Sequence, residues 1–318
     1  MHVIDVVAVM PSDMEIGVFQ RFARRVGLLL VGVLLLVGCH PSSGDIEESS
    51  AALPGYPQSE SASLRQLDNH GFVVGYDTTR QRPAWVGYRV SAIEGYRPMP
   101  RPSFGADPRL AVSARTPGAF GHGYDRGHLA PNYAISQLYG AQAQRETFYY
   151  SNVVAQRPRV NQLVWQRLEE IEADDIAPRA ETLWVFVGPV GGGGVQQPTA
   201  FYRIWAGRGA DDRWQALAFR VEQSVQGDER LDGFIVSIDA IEAETGLNFL
   251  PALPKDVQAA LEARPAASDT FGFVQWACQP ARFGRRWQGR DGIRLRYDRC
   301  ATALPATPPA ARQTEGKH

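Results

Sequence analysis

Short runs of β-branched and aromatic residues lie on both sides of one amphipathic helix pattern, and this arrangement constrains the fold most. The first two runs, Gly71–Tyr76 and Ala84–Val90, are separated by turn-forming residues and predict a β-hairpin. The later runs predict four strands, at Leu183–Val187, Ala200–Trp205, Trp214–Val221 and Gly233–Val236. Strands that cluster before and after one central helix are typical of an α+β fold with an antiparallel sheet.

Three further segments complete the predicted order of elements. The aromatic segment Thr147–Val154 predicts another strand, shortly before the helix pattern. A short helix is predicted at Ile238–Thr245, where Gly246 provides a typical stop signal. The segment Arg97–Phe120 is rich in Pro and Arg and predicts a loop.

The helix pattern covers about Asn161–Ala173 and has one apolar face. Its apolar stripe consists of Val160, Val164, Leu168 and Ile171, at helical spacing. Asn161 falls within this apolar arc, where an amide is costly to bury unless its hydrogen bonds are satisfied. Two interpretations fit. Asn161 caps the helix, a role that asparagine favours, or its side-chain oxygen binds a divalent cation.

The N-terminus predicts export. Three arginines precede a short apolar run at 26–37, which is too short to span a bilayer comfortably and is typical of a secretory signal. The run ends in Leu36-Val37-Gly38-Cys39, which resembles the lipobox of bacterial lipoproteins, in which the cysteine is lipidated. We therefore expect 1–38 to be an extension and signal peptide, and Cys39 to anchor an exported protein to a bacterial membrane, in the periplasm or at the cell surface. A signal anchor that stays in the membrane is the alternative.

Composition divides the rest of the chain. Residues 39–63 are rich in Ser, Pro, Gly and Glu and predict a flexible tether. Residues 64–300 are expected to fold, as one large domain or two small ones, and the Pro-rich tail 301–318 to be disordered. The formal net charge of −1 argues against a protein that coats DNA through its overall charge, although a local basic groove suffices for binding.

After Cys39, the only cysteines are Cys278 and Cys300. An oxidising compartment would favour a disulfide between them, and two buried free thiols are the alternative. Their spacing does not match a zinc ribbon.

Asp125-Arg126-Gly127-His128 is the segment that carries the most chemistry. An imidazole beside an Asp-Arg pair can serve as a general base directed at a phosphate. The alternative is a core histidine whose hydrogen bonds are satisfied.

This segment is followed, in order, by Thr147-Phe148-Tyr149-Tyr150-Ser151-Asn152 and by Asn161-Gln162-x-x-Trp165-x-x-Leu168-Glu169. Together the three segments resemble the signatures of the DNA/RNA non-specific endonuclease family, the ββα-metal nucleases that include endonuclease G. The similarity extends in the correct order over roughly Gly71–Leu253. It implies an α+β fold with a ββα-metal nuclease core on a central antiparallel sheet, and leaves a C-terminal appendage from about 254 outside the resemblance.

The resemblance also implies roles for individual residues. His128 matches the general base that deprotonates the attacking water. Asn161 matches the protein ligand of Mg²⁺, with Mn²⁺ as a possible substitute, and Glu169 matches the residue that orients the waters around the metal. For Glu169, a solvated helix carboxylate is the alternative.

Three more positions match residues around the phosphate. Arg126 and Arg101 match arginines that face the phosphate, for which a bidentate guanidinium is well suited. Asn152 matches the asparagine that positions the active-site loop or the histidine, and a purely structural hydrogen-bonding role is the alternative. Asp125 is expected to orient Arg126 or the loop.

The sequence therefore predicts a metal-dependent enzyme that cuts DNA and RNA with little sequence preference. Two alternatives remain: a phosphodiesterase for a smaller substrate, and a non-catalytic surface lipoprotein that binds nucleic acid. The sequence does not indicate an oligomeric state.

Overall fold

A computed structural model of the chain describes residues 53–59, 63–110, 120–192, 197–209 and 212–281. The predicted signal peptide, Cys39, Cys300 and the tail 301–318 lie outside these residues. Within the described ranges, no helix combines the length and the apolar character needed to cross a bilayer.

Eleven strands are described, most of them antiparallel neighbours in one sheet. They are β1 (Gln58–Ser59), β2 (Leu64–Asn69), β3 (Phe72–Asp77), β4 (Arg82–Val90), β5 (Asp125–His128), β6 (Val153–Gln156), β7 (Leu183–Val190), β8 (Ala200–Arg208), β9 (Trp214–Glu222), β10 (Ile235–Val236) and β11 (Leu247–Asn248). Seven of them form the central sheet, in the order β10-β9-β8-β7-β4-β3-β2. The pairing of β4 with β7 places the early hairpin beside the strands that follow the helix pattern.

One long helical segment, here called the central helix, follows β6. It consists of a π-helical turn at Val160–Trp165, the α-helix α2 at Gln166–Ile171 and a second π-helical turn at Glu172–Ile176. The other helices are α1 (Asn132–Thr147), α3 (Ile238–Thr245) and α4 (Lys255–Glu262), and short 3₁₀ turns lie at Tyr150–Asn152, Ala177–Arg179, Leu231–Phe234 and Thr270–Trp276.

The sheet is covered on both faces. Val164, Leu168 and Ile171 of the central helix are fully buried in one core, together with Trp205 and Phe219 of the sheet. A second core lies on the other face and includes Ile238 and Ile241 of α3, with Val257 and Leu261 of α4 packed against it. The predicted apolar stripe and the predicted α+β fold with a central antiparallel sheet are confirmed.

Strands β5 and β6 form a separate antiparallel pair, and the central helix follows them to complete a ββα unit. The register places Asp125 opposite Gln156 and His128 opposite Val153. Gly127 is required here, because a Cβ at this position would lie 2.0 Å from Oε1 of Gln156. The glycine thus lets the buried glutamine pack against the strand that carries the histidine.

The predicted strand Thr147–Val154 is wrong over most of its length. Thr147 ends α1, a 3₁₀ turn covers Tyr150–Asn152, and the strand begins only at Val153. The side chain of Asn152 donates a hydrogen bond to Thr147 O (2.9 Å) and so closes the turn. Local side-chain bonding of this kind competes with a strand ladder. By contrast, the helix Ile238–Thr245 is confirmed, and Gly246 ends it with φ +68°.

The end of the predicted tether belongs to the folded domain. Strand β1 pairs with β11, and the ring of Tyr56 stacks on Trp85 with centroids 5.4 Å apart. Residues 53–59 therefore extend the fold beyond the expected start at residue 64.

The predicted C-terminal appendage from about 254 also packs into the core. Phe273 contacts Trp205 and Phe219, with ring centroids 5.6 Å and 5.0 Å away. The buried Arg167 of the central helix donates to Ala277 O (2.8 Å) and Gln279 O (2.7 Å). These contacts make the segment up to residue 281 part of the domain that supports the central helix.

Candidate active site

His128 is held by aromatic packing at the end of β5. Its ring centroid lies 5.1 Å from that of Phe104 and 4.7 Å from that of Phe148. Nε2 is buried and has no hydrogen-bond partner among the described residues, so a core histidine with satisfied nitrogens does not fit. Burial, and then the positive charge of Arg101, lower the pKa of His128 to about 3. The imidazole is therefore neutral near pH 7 and can accept a proton.

Asn152 fixes the backbone that follows His128. Its Oδ1 accepts from Ala130 N (2.8 Å), and its Nδ2 donates to Ala130 O (3.0 Å). The backbone adds a bond from Leu129 N to Asn152 O (3.0 Å). Because the amide is fully buried and occupied in these bonds, Asn152 is a positioning residue rather than one that touches substrate. This geometry agrees with the loop-positioning role among those considered for it.

Asn161 lies inside the first π-helical turn and does not cap the helix. Arg159 occupies the N-cap position, so the capping interpretation is wrong. Nδ2 of Asn161 donates to Oδ2 of Asp125 (3.0 Å), and Nε2 of Gln162 donates to the same oxygen (2.7 Å). Asp125 therefore orients the helix amides rather than Arg126, and it ties the helix to β5.

This arrangement fits a divalent cation held through one protein oxygen. Asp125 accepts a hydrogen bond from the amide nitrogen of Asn161. The carbonyl oxygen Oδ1 therefore points away from the Asp125 carboxylate and is the atom that can coordinate a cation. Asn161 is half-buried, so a cation there keeps access to water. Mg²⁺ suits such a site, because it binds oxygen and usually retains several of its waters.

Glu169 lies two turns further along the central helix and joins a buried network. Its Oε1 accepts from Nη2 of Arg203 (3.2 Å), and Nη1 of Arg203 donates to Tyr88 Oη (2.9 Å) and to Glu172. Tyr88 Oη donates to Glu172 Oε1 (2.9 Å) and Trp205 Nε1 donates to Glu172 Oε2 (2.7 Å). The carboxylate of Glu169 is thus held in place from the sheet side rather than left in solvent, as the alternative supposed.

The charge state of Glu169 depends on this burial. Burial raises the pKa of Glu169 to about 8, and the neighbouring carboxylates of Glu172 and Glu170 act in the same direction. Arg203 opposes them. A nearby cation would favour the charged form of such a carboxyl group, which is consistent with a place beside a metal.

Two arginines lie against the aromatic rings that hold His128. The guanidinium of Arg126 lies 4.5 Å from the centroid of Phe104, and that of Arg101 lies 5.1 Å from the centroid of Phe148. Burial and the charge of Arg126 lower the pKa of Arg101. Two like charges held together in this way favour an anion between them. The rings of Phe104 and Phe148 thus contact both arginines and the histidine.

The loop that carries Arg101 and Phe104 is anchored to the rest of the site. Gly105 N donates to Phe148 O (3.1 Å), and Tyr150 N donates to Gly105 O (2.9 Å). Further along, Ser151 Oγ donates to the buried Asp107 (2.6 Å). These bonds hold the loop in place, so that Arg101 and Phe104 lie close to His128 although they precede it by more than twenty positions.

Sequence reasoning missed the contributions of Gln162, Arg203 and Phe104. Arg203 offered a signal, because a charged residue inside an apolar strand requires a buried partner. Gln162 and Phe104 offered none, since their contacts depend on the hairpin register and on the path of the loop.

Cys278 lies near Arg230, whose Nη1 is 3.4 Å from the cysteine sulfur. Cys300 lies outside the described residues, so the predicted disulfide between them stays a prediction.

Comparisons with known proteins agree with this geometry. A family model described as DNA/RNA non-specific endonuclease matches residues 48–256. The mitochondrial nuclease EXOG of Xenopus laevis is 30% identical over 227 residues, which cover 64% of this chain and 62% of that protein. A nuclease of Serratia marcescens is 25% identical over 263 residues, covering 77% of this chain and 96% of that protein.

Mitochondrial endonuclease G of Bos taurus is 27% identical over 259 residues, covering 74% of this chain and 83% of that protein. The chain spans only 62% to 65% of the length of the EXOG relatives.

A solved structure has the same fold. It is EndoG in its complex with EndoGI, with a TM-score of 0.57 and 21% identity, and the match covers 64% of this chain and 90% of that one. The family model covers well over half of the chain, and its range contains the hairpin, the central helix and the sheet described above. The chain belongs to the DNA/RNA non-specific endonuclease family.

Proposed function

We propose that this protein is a metal-dependent endonuclease that hydrolyses phosphodiester bonds in DNA and RNA with little sequence preference. The observation that carries the proposal is the unpaired, neutral Nε2 of His128, which lies beside the positive charge of Arg101, itself close to Arg126. A base next to an anion site is the arrangement that phosphodiester hydrolysis needs. Membership of the family supports the same reaction.

His128 would take a proton through Nε2 from a water molecule as that water attacks the phosphorus atom. Arg101 and Arg126 would bind the phosphate oxygens, whose negative charge grows as the new bond forms. The bond from phosphorus to the leaving 3′-oxygen then breaks. Asn152 keeps the backbone after His128 in place while the imidazole becomes charged.

Asn161 would hold the cation through Oδ1, and Glu169 would accept hydrogen bonds from the waters around it. When bound, a divalent cation supplies positive charge that stabilises the phosphate oxygens and the departing oxygen. We propose Mg²⁺ because the available ligand is a neutral oxygen. Since contacts to the backbone carry no sequence information, DNA and RNA are both expected substrates.

The test is cleavage of plasmid DNA and of RNA by the mature chain, with Cys39→Ser to prevent lipidation. Reactions contain Mg²⁺ or EDTA, and His128→Ala is compared under both conditions. We expect both polymers to be degraded with Mg²⁺ only, and the variant to lose activity while keeping its circular dichroism spectrum. A folded wild-type protein that cuts neither polymer would overturn the proposal in favour of binding or of a smaller phosphodiester.

We also propose that the protein is exported and anchored to a bacterial membrane through lipidated Cys39. The support is the arginine-flanked apolar run that ends in Leu36-Val37-Gly38-Cys39. Mass spectrometry of the membrane fraction should find a diacylated Cys39, and Cys39→Ser should release the protein from that fraction. A membrane-bound protein that still carries 1–38 would instead indicate a signal anchor.

The pairing of Cys278 with Cys300 is proposed for the same compartment. It is supported by the absence of other cysteines after Cys39 and by the oxidising environment that export implies. Peptide mapping without reduction should recover the two cysteines in one linked fragment, and two alkylated thiols would contradict the pairing.

A further inference from the structure

A groove with a volume of about 500 Å³ opens at the end of the β5–β6 pair. We call it the arginine groove. Its walls are the segments 122–124, 157–159 and 223–226. None of the residues that line it was included in the predicted site.

The arginine groove carries unbalanced positive charge. Arg157 and Arg159 line it, and within the described part of the chain neither guanidinium forms an ion pair with a carboxylate. Glu229, three residues beyond the third wall segment, is occupied, because it accepts from the backbone of Gln226 (2.6 Å) and Gly227 (2.8 Å). Two arginines without carboxylate partners favour an anionic ligand.

Each arginine is held differently. Nη1 of Arg159 donates to Gln226 O (3.0 Å) and to Gln226 Oε1 (2.9 Å), which fixes its direction. Arg157 is exposed, and its guanidinium lies 5.9 Å from the ring centroid of Tyr124. The backbone of Arg157 is fixed by a bond from its N to Gln223 Oε1 (2.8 Å). The side chain of Arg157 is thus available to a ligand without disturbing the loop.

The groove adjoins the elements that carry the candidate active site. Tyr124 precedes Asp125, Arg157 follows Gln156, and Asp125 and Gln156 are partners in the β5–β6 register. Arg157 O accepts from Asn161 N (3.0 Å), so the groove adjoins the proposed cation ligand. A polymer bound at Asn161 would therefore have this wall within reach.

We propose that the arginine groove binds the sugar–phosphate backbone of the substrate strand next to the phosphodiester that is cut. The proposal rests on the proposed nuclease function, because it requires a polymeric substrate. Arginine binds phosphate oxygens through two parallel donors. The rings of Tyr124 and His122 offer faces on which bases can stack regardless of sequence. The groove thus favours long substrates over short ones without selecting a sequence.

The first test compares substrates of different length. Arg157→Gln removes one charge and no described hydrogen bond of the side chain, and Arg157→Gln/Arg159→Gln removes both charges. With long DNA we expect KM to rise about tenfold in the double variant, the scale of lost charge-assisted hydrogen bonds. With a dinucleotide, which cannot reach the groove, kcat/KM should stay at the wild-type value. An unchanged KM for long DNA in both variants would overturn the proposal.

The second test measures binding without turnover, so that it does not depend on the proposed activity. Affinity for duplex DNA is measured in EDTA over a range of salt concentrations. The slope of log K against log salt should fall by about 0.9 in Arg157→Gln and by about twice that in the double variant. Arg264→Gln is the matched control, since it removes the same charge from an exposed position after α4 that does not line the groove.

Together, the two tests distinguish a failure of the groove proposal from a failure of the proposed nuclease function. Reduced salt slopes in a protein that does not cleave would support the groove and overturn the nuclease. Cleavage with wild-type slopes in both groove variants would support the nuclease and overturn the groove. If Arg159→Gln impairs folding through the lost bonds to Gln226, the single variant Arg157→Gln still decides.

Discussion

At the scale of single residues, Asn161 shows how one amide can serve two purposes. Its nitrogen is bound to Asp125, and this bond sets which way the carbonyl oxygen points. A free asparagine amide can flip by rotation about its last torsion, and a metal would then meet the nitrogen in half of the conformations. In the proposed site, the carboxylate of Asp125 would therefore act on the cation through Asn161.

Removal of the Asp125 carboxylate should weaken metal binding more than catalysis at saturation. For Asp125→Ala, we expect the Mg²⁺ concentration that gives half-maximal cleavage to rise by about tenfold to a hundredfold, the effect of losing an outer-shell partner. Saturating Mg²⁺ should restore much of the rate. The measurement is a Mg²⁺ titration of cleavage, with Asp125→Asn as the control that keeps one acceptor oxygen for the helix amides. An unchanged titration in Asp125→Ala would show that the amide is oriented in another way.

His128 leads to a prediction about pH. Burial and Arg101 lower its pKa to about 3 in the free protein, so the base stays unprotonated well below the ordinary histidine range. With Mg²⁺ saturating at each pH, kcat/KM should show no acidic limb near pH 6.5 that belongs to this residue. Removing the charge in Arg101→Gln should raise the pKa of His128 and move any such limb upward. A limb near pH 6.5 in the wild type that moves upward in Arg101→Gln would contradict the burial argument.

At the scale of elements, the connection between the central helix and the sheet is electrostatic as well as apolar. Arg203 of β8 is fully buried and reaches both Glu169 and Glu172 of the helix, and Tyr88 of β4 completes the network. Such a pair costs free energy to desolvate, and the hydrogen bonds between the charged groups offset that cost. The network fixes the position and rotation, relative to the sheet, of the helix that carries Asn161.

Removing one partner of this network should lower the free energy of unfolding more than removing both partners. Arg203→Met leaves Glu172 buried without its cation, so we expect the free energy of unfolding to fall by about 3–5 kcal/mol. Arg203→Met/Glu172→Gln removes the stranded charge and should recover part of that loss. Urea unfolding of the wild type, both single variants and the double variant gives the coupling energy. Additive losses, with no recovery in the double variant, would mean that the pair is not coupled.

The elements differ in how far the sequence could predict them. The helix stripe at Val164 and Leu168 was readable because burial on one face imposes helical spacing. Helix α1 was not, since it is interrupted at Gly140, where φ is +82°, and has no strong apolar stripe. The sequence predicts a strand at Asn152 because aromatic residues precede it, whereas the side chain of Asn152 bonds both to Thr147 O, five residues away, and to the backbone of Ala130, 22 residues away. Long-range bonds of this kind leave no local pattern.

The same limit applies to the site. His128 and Asn161 were identified because they stand in motifs with chemical meaning, yet the partner of each came from elsewhere in the chain. Asp125 reaches Asn161 through the register of β5 against β6, and Phe104 reaches His128 through a loop. Residue types indicated the reaction, and only tertiary structure could indicate how its groups are oriented.

At the scale of the whole molecule, two buried carboxyl groups link stability to pH. Burial raises the pKa of Glu169 to about 8 and that of Glu262 to about 7, from an ordinary value of 4.5. Glu262 lies in α4, on the sheet face opposite the central helix. Both groups hold a proton in the folded protein at pH values where the unfolded chain has released it, so a rise in pH favours unfolding.

In EDTA, these two groups should lower the Tm as the pH rises from about 4.5 towards 8, whereas His128, whose pKa is lowered to about 3, raises the Tm up to about pH 6.5. Glu169→Gln cannot ionise and should remove the part of the fall that continues to about pH 8, whereas Glu262→Gln should remove only a part that ends near pH 7. Differential scanning calorimetry of the three proteins at matched pH values isolates each contribution as a difference from the wild type. If Glu169→Gln and the wild type lose stability in parallel up to pH 8, then Glu169 is already ionised in the metal-free fold. Its carboxylate would then be stabilised by Arg203 more strongly than burial opposes it, and no proton would have to leave when a cation binds.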